Sequence, residues 1–184
     1  MSLYEQKSVY YVTTGCRHQQ HYFESDAVKR VLCNTLLNCN ALHDAEMLGY
    51  VIMPNHLHVL LCIRNKEALS RYMHSFKTYS SAAIRQLLIM EDPVNALLLA
   101  YHRKRQRYKV WEDGFSVLET GSGSLARQML DRMHNNPLQQ HWQLAGCAEA
   151  YPFSSAGFYA NGKKGVMEVV PYGRYFGMEE TQMK

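Results

Sequence analysis

No Cys-x-x-Cys pair occurs in this 184-residue chain; its five cysteines (Cys16, Cys33, Cys39, Cys62, Cys147) are scattered and odd in number. That argues against a disulfide scaffold or a zinc ribbon and for reduced thiols in a cytosol. Apolar runs are short of the ~20 residues needed to span a bilayer. The segment Met1–Lys7 lacks the basic start and apolar core of a secretory signal, so a soluble cytoplasmic protein is expected. There is no internal repeat and no low-complexity segment. The glycine-rich Gly121-Ser-Gly-Ser124 lacks the lysine and spacing of a phosphate-binding P-loop and reads as a turn with a helix cap. Too few carboxylates accompany the histidines described below for an ordinary carboxylate-rich metallohydrolase, which would also need a larger barrel.

Charge of one sign is scarce overall but not locally. The net charge is +4, and the octet His102–Lys109 alone carries five positive charges and no acid. Arg103, Lys104, Arg105, Arg107 and Lys109 are therefore the candidate electrostatic footprint for a polyanion. Tyr108 and nearby Trp111 are candidate base-stacking surfaces, against the plainer reading of a solvated charged run.

With 47% hydrophobic residues the chain can bury one ordinary core. Val9–Thr14, β-branched and aromatic and ending at Gly15, reads as a first strand. Ser25 caps a helix with Val28, Val31, Leu32, Leu36 and Cys39 at helical spacing. A strand from Met47 to Met53 and a turn at Pro54-Asn55 precede the run from His56 to Cys62. A long helix from Lys66 to Met90 buries Leu69, Met73, Phe76, Ala83 and Leu87, and Val94–Tyr101 reads as a short helix. Phe115–Glu119 is a short strand; a last helix shows Leu125, Met129, Leu130 and Met133 on one face until Pro137 stops it. The order β-α-β-β-α-β-α predicts an α+β, ferredoxin-like split βαβ domain: an antiparallel sheet with helices mainly on one face. It spans residues 1–160, with a tail, 161–184, packed on it or trailing from it.

Within Gly49–Cys62, His56 and His58 flank one apolar residue. The two-residue period of a strand puts both imidazoles on one face, about 6.5–7 Å apart along it, with Leu57 on the other. Two nitrogen donors on a rigid face can converge on a divalent metal; the plainer reading is a pair of core histidines bonded to backbone.

The sentence around the pair carries more. Met53-Pro-Asn-His-Leu-His-Val-Leu60 resembles the His-hydrophobe-His (HUH) motif of single-tyrosine transposases, the insertion-sequence enzymes and the REP-associated tyrosine transposases. Val110-Trp-Glu-Asp-Gly-Phe115, Leu130-Asp-Arg-Met-His-Asn-Asn-Pro137 and Tyr151-Pro-Phe-Ser-Ser-Ala-Gly-Phe-Tyr159 resemble further blocks of that family, in the family's order, over roughly residues 8–160. The resemblance implies metal-dependent cleavage and rejoining of single-stranded or hairpin DNA through a 5′-phosphotyrosine. It implies Mg²⁺ or Mn²⁺ held by His56, His58 and the amide of Asn136, and a protein associated with the nucleoid when bound to DNA. Family members act as dimers or alone, so a homodimer stays open.

One departure governs the rest. The family's nucleophilic tyrosine is matched here by Arg132, whose guanidinium stays protonated and cannot attack phosphorus. It could instead clamp a phosphate bidentately, or face solvent paired with Asp131 or Gln128. Asn136 precedes proline, which disfavours the helical conformation, so a C-cap is its other reading. His134 lies about 200° round the helix from position 132 and reads as a local packing residue. Tyr72 and Tyr79 are the remaining tyrosines weighed as nucleophiles, and a metal-bound water is a further route to hydrolysis. The chain is thus expected to be a DNA transposase of this family or a catalytically inactive descendant acting as a structure-specific DNA-binding or regulatory protein.

Overall fold

The structure, a computed structural model, describes residues 7–91, 94, 96, 100–103 and 106–178, with the backbone alone at 100–103 and 106–108. Four strands form an antiparallel sheet in the order β2-β3-β1-β6: β1 (Ser8–Gly15), β2 (Glu46–Ile52), β3 (His56–Ile63) and, at one edge, β6 (Ser116–Glu119). Its helices are α1 (Asp26–His43), α2 (Lys66–Glu91), α3 (Gly123–His134) and the short α4 (Ala156–Asn161). Strand order and connectivity are those of the ferredoxin-like plan.

β3 is central and nearly continuous in apolar residues because both its faces are covered. Leu57, Val59 and Leu61 are 0% exposed and point to one face, where α1 and α2 pack against each other. His56, His58 and Leu60 point to the opposite face, which α3 crosses. Ser25 caps α1 by accepting from the Val28 amide at 3.2 Å, and Ser122 caps α3 by accepting from that of Leu125 at 3.3 Å. The serines of Gly121–Ser124 thus serve the start of α3.

α3 approaches the sheet closely at Gly49, beside a bulge in β2. A Cβ there would collide with Leu130 Cδ2 and lie 3.0 Å from Met133 Cε. Absence of a side chain at Gly49 therefore sets how deep α3 seats, and with it the height of the residues α3 carries over β3.

α2 buries Leu69, Met73 and Phe76 as its spacing predicts, but in its second half Ile84 and Leu88 are the buried residues, while Ala83 and Leu87 are half-buried, Leu87 packing on the edge of the core. The phase is carried through Ser80, which is polar and so hides the stripe. Its hydroxyl, 0% exposed, donates to Phe76 O at 2.6 Å and accepts from the Trp111 indole at 3.0 Å.

Val94 and Ala96 are helical, but the helix expected to reach Tyr101 gives way to a strand by Ala100. β4 (Ala100–Arg103) and β5 (Gln106–Tyr108) pair antiparallel, so Arg103 and Arg107 of the basic octet lie on a two-stranded ribbon. β-branched residues are not needed for such a ribbon, which is why composition did not reveal it.

Beyond α4 the chain packs back on the domain. The Met167 amide donates to Tyr50 Oη at 3.1 Å and that of Val170 to Met47 O at 2.8 Å, while Tyr172 is 1% exposed. Four of the five cysteines are buried free thiols, and Cys147 is exposed.

Candidate metal centre on the central strand

The two imidazoles project from one face of β3, their ring centroids 4.9 Å apart and their planes at 84°. Each is anchored through Nδ1. Asn55 Oδ1 lies 2.6 Å from His56 Nδ1, and Asn55 Nδ2 donates to Gln19 O at 3.3 Å. That second bond fixes the amide so that its oxygen faces His56; Nδ1 then carries the proton and Nε2 a lone pair. His58 Nδ1 lies 2.7 Å from Thr13 Oγ1 and 2.9 Å from Tyr11 Oη, and the Tyr11 ring stacks on it at 5.5 Å and 11°.

α3 ends at His134, and Asn135, not Asn136, is its C-cap: the Asn135 side chain bonds Asp131 O at 2.8 Å. Asn136 begins a 3₁₀ turn with Pro137 and reaches across to the histidines. Its Nδ2 lies 2.7 Å from His58 Nε2 and 3.4 Å from His56 Nε2. An NH₂ group set between two ring nitrogens donates to both lone pairs, so both Nε2 atoms act as acceptors aimed at one point. Half a turn of the amide about Cβ–Cγ exchanges nitrogen for oxygen there. His56, His58 and Asn136 are thus the residues that could hold a cation. Among the described residues no three His, Cys, Asp or Glu side chains gather into a metal-binding group; the third donor to this pair is an amide.

Electrostatics favour the ligand form of the imidazoles. Burial, with the field of His141, lowers His56 to about 4. Burial, with the fields of His56 and Arg132, lowers His58 to about 3. Both are neutral at pH 7, as metal ligands must be.

Arg132 is exposed and lines a cleft with Tyr11, Thr13, His58, Ser116 and Met129. Asp131, one partner expected for it, lies 3.9 Å from Arg127 instead. Position 132 therefore faces the same side of the sheet as the histidine pair. His134 turns the other way, 7% exposed, with Nε2 2.8 Å from Ser155 Oγ. Ser155 in turn binds the backbone of Tyr50, accepting from its amide at 2.9 Å, so the Ser-His pair ties α3 to β2. Tyr72 is buried, its hydroxyl donating to Asn40 Oδ1 at 2.8 Å between α1 and α2; Tyr79, also on α2, is exposed.

The expected stacking role of Trp111 is corrected. It is 3% exposed and packs on Phe23 and Phe76, at centroid distances of 4.9 and 5.3 Å, so it presents no face to a base. Lys109 is partly neutralised by Asp113 at 2.6 Å. Arg103, Arg107 and Tyr108 lie on the β4–β5 ribbon by backbone, and Lys104 and Arg105 lie outside the described residues. Sequence reasoning missed Tyr11, Thr13 and Asn55. The first two were legible in principle: they alternate on β1 on the same face, and Thr13 pairs in register with His58.

The fold has counterparts among known proteins. The family model "Transposase IS200 like" matches residues 5–131. The chain belongs to the IS200-like transposase family. The match ends one residue before Arg132, so it bears on the histidine strand and not on position 132 or Asn136. Among solved structures, a REP-associated tyrosine transposase bound to a REP hairpin is similar over 92% of this chain and 90% of its own, at TM-score 0.63 and 14% identity. A structure described as a transposase from Deinococcus radiodurans is similar over 73% of this chain and 95% of its own, at TM-score 0.51 and 17% identity. At these identities the likeness establishes the shared fold. No curated protein matches the sequence. Among the described residues no helix is long and apolar enough to cross a membrane.

Proposed function

We propose that this transposase-family chain binds single-stranded or hairpin DNA at a divalent-cation site made by His56, His58 and Asn136, and that it no longer nicks through a tyrosine at position 132. The observation that carries this reading is the Asn136 amide between two Nε2 lone pairs, at 2.7 and 3.4 Å. Two neutral imidazoles and an amide oxygen suit Mg²⁺ or Mn²⁺, with coordination positions left for phosphate oxygen and water. When bound, the cation would act as a Lewis acid on the scissile phosphate.

The protein's own part is to hold and to clamp. Asn55 sets the tautomer of His56 and Thr13 holds the ring of His58 from behind, and Gly49 lets α3 sit low enough for Asn136 to reach. Arg132, beside His58, offers a planar pair of N–H donors to a phosphate, a task that suits its permanent charge. No proton can leave it under ordinary conditions, so it is no nucleophile. Tyr11 does not replace it: its hydroxyl meets Nδ1 of His58, the edge of the ring away from Asn136, and burial raises its pKa. The likeness to a transposase whose structure includes a REP hairpin supports DNA as the ligand. We assign the cations of the octet, Arg103, Lys104, Arg105, Arg107 and Lys109, to the DNA backbone and Tyr108 to a base, with one chain or a homodimer as the working unit.

A labelled hairpin with a single-stranded flank, mixed with the protein and Mg²⁺ or Mn²⁺, tests this. Fluorescence anisotropy should report binding, and a denaturing gel should show no covalent adduct for the wild type. Removing a nucleophile from a cooperative site costs orders of magnitude, ~10⁶ in a well-studied hydrolase. Arg132→Tyr places a phenol in the cleft beside His58 and should produce a metal-dependent adduct. Abundant tyrosine-linked DNA in the wild type would overturn the assignment of position 132; absence of binding would overturn the reading itself.

A further inference from the structure

Beside the histidine pair lies an aromatic group that the reading above does not use. Trp142 is half-buried, with its ring centroid 6.0 Å from that of His56. His21 and His141, both exposed, stand 5.4 and 5.3 Å from it. All three imidazoles are tilted against the indole, by 43° to 49°, so none covers its face as a parallel stack would. The position is built by the same turn that delivers Asn136. Backbone bonds from Trp142 N and Gln143 N to Gln139 O, at 2.8 and 3.0 Å, and from Leu144 N to Pro137 O at 2.9 Å fold residues 137–144 back over the site. Gln143 takes a left-handed φ of 48° to complete that fold.

We infer that Trp142, framed by His21 and His141, is a stacking subsite for one unpaired nucleobase of the DNA strand whose phosphate lies at His56 and His58. This inference rests on the DNA-binding reading. A half-buried indole, packed against the core and within one nucleotide's reach of a phosphate site, offers what single-strand recognition uses: a π-face that accepts any base, next to groups that hold the backbone. Duplex DNA cannot supply such a base without unstacking it, so the subsite selects strands that are already open. Tryptophan also keeps few rotatable bonds, so little freedom is lost on contact. The two exposed imidazoles can donate or accept hydrogen bonds at the edge of the base.

The chain reports on this itself, because its only other tryptophan, Trp111, is 3% exposed in the core. Binding is followed by anisotropy of a dye-labelled hairpin with a single-stranded flank, while tryptophan emission is read in parallel. Emission should be quenched as the complex forms, and Trp142→Ala should abolish the quench and weaken binding roughly five- to 150-fold. Trp142→Phe should retain part of the affinity. An abasic nucleotide moved along the flank should, at one position only, weaken the wild type to the level of Trp142→Ala and leave that variant unchanged. Binding with unaltered emission and equal affinity for Trp142→Ala would overturn the subsite and leave the DNA-binding reading standing. Equal loss in Trp142→Ala whatever base is missing would show that Trp142 merely props His56. A wild type that does not bind the hairpin would overturn both.

Discussion

Acid should unfold this protein early, through three histidines. His56, His58 and His134 are held at about 4, 3 and 4 in the folded chain, chiefly by burial, against about 6.5 when unfolded. Lowered folded values mean that the unfolded chain takes up protons first as pH falls. Stability is therefore complete above pH 6.5 and lost as pH drops from there towards the folded values. At pH 5 each histidine costs about 1.5 pH units, or about 2 kcal/mol, so the three together remove about 6 kcal/mol. That is comparable with the whole stability of a typical domain, about 5–15 kcal/mol. Urea unfolding followed by circular dichroism at pH 7, 6, 5.5 and 5 measures it. His134→Asn removes one of the three and lies outside the metal centre, so its loss between pH 7 and 5 should fall to about 4 kcal/mol. A urea midpoint unchanged between pH 7 and 5 in the wild type would refute the burial argument. So would a His134→Asn variant that loses as much as the wild type.

Gly49→Ala should destabilise the fold by about 1–3 kcal/mol in the same urea assay, because the added methyl meets Leu130 and Met133 of α3. Replacing Arg103, Arg105 and Arg107 by Gln should weaken DNA binding and flatten the slope of log K against log salt by about 0.7–0.9 for each phosphate no longer neutralised. An unchanged slope would make the ribbon a solvated surface only. Ser80→Ala should cost about 1–3 kcal/mol by leaving the buried Trp111 indole nitrogen without its acceptor, read as a shift of the thermal midpoint.

Much of the sheet was legible because its strands announce themselves locally. Val9–Thr14 is β-branched and aromatic, and the His56–Cys62 run alternates histidine with residues that can only be buried. The long helices showed their apolar stripes, and the phase of α2 was misread only where Ser80 replaces a hydrophobic residue. What stayed hidden depends on contacts distant in sequence. Trp111 looks like a surface aromatic beside a basic run; only the packing of Phe23 and Phe76, from two other elements, makes it core. The ribbon of β4 and β5 pairs Ala100 with Tyr108 and Arg103 with Gln106, a register that local composition does not announce. At the site, the histidine pair and Asn136 came from motif and resemblance, whereas Tyr11 and Thr13 needed the pairing register of β1 with β3. Trp142 needed a turn with a left-handed residue, Gln143, that its neighbours do not foretell.

Metal titration tests the central claim most directly. Mn²⁺ added to the DNA-free protein at pH 7, with free Mn²⁺ followed by electron paramagnetic resonance, should show one saturable site per chain. His56→Ala/His58→Ala should abolish that site, and Asn136→Ala should weaken it. Thr13→Val, which removes a hydroxyl bonded to His58 Nδ1, should weaken it by about 10–100-fold. Because both imidazoles are already neutral, affinity should stay flat from pH 7 to about pH 5.5, with the protein still folded by circular dichroism. No stoichiometric Mn²⁺ binding, or binding that survives in the double histidine variant, would contradict the account.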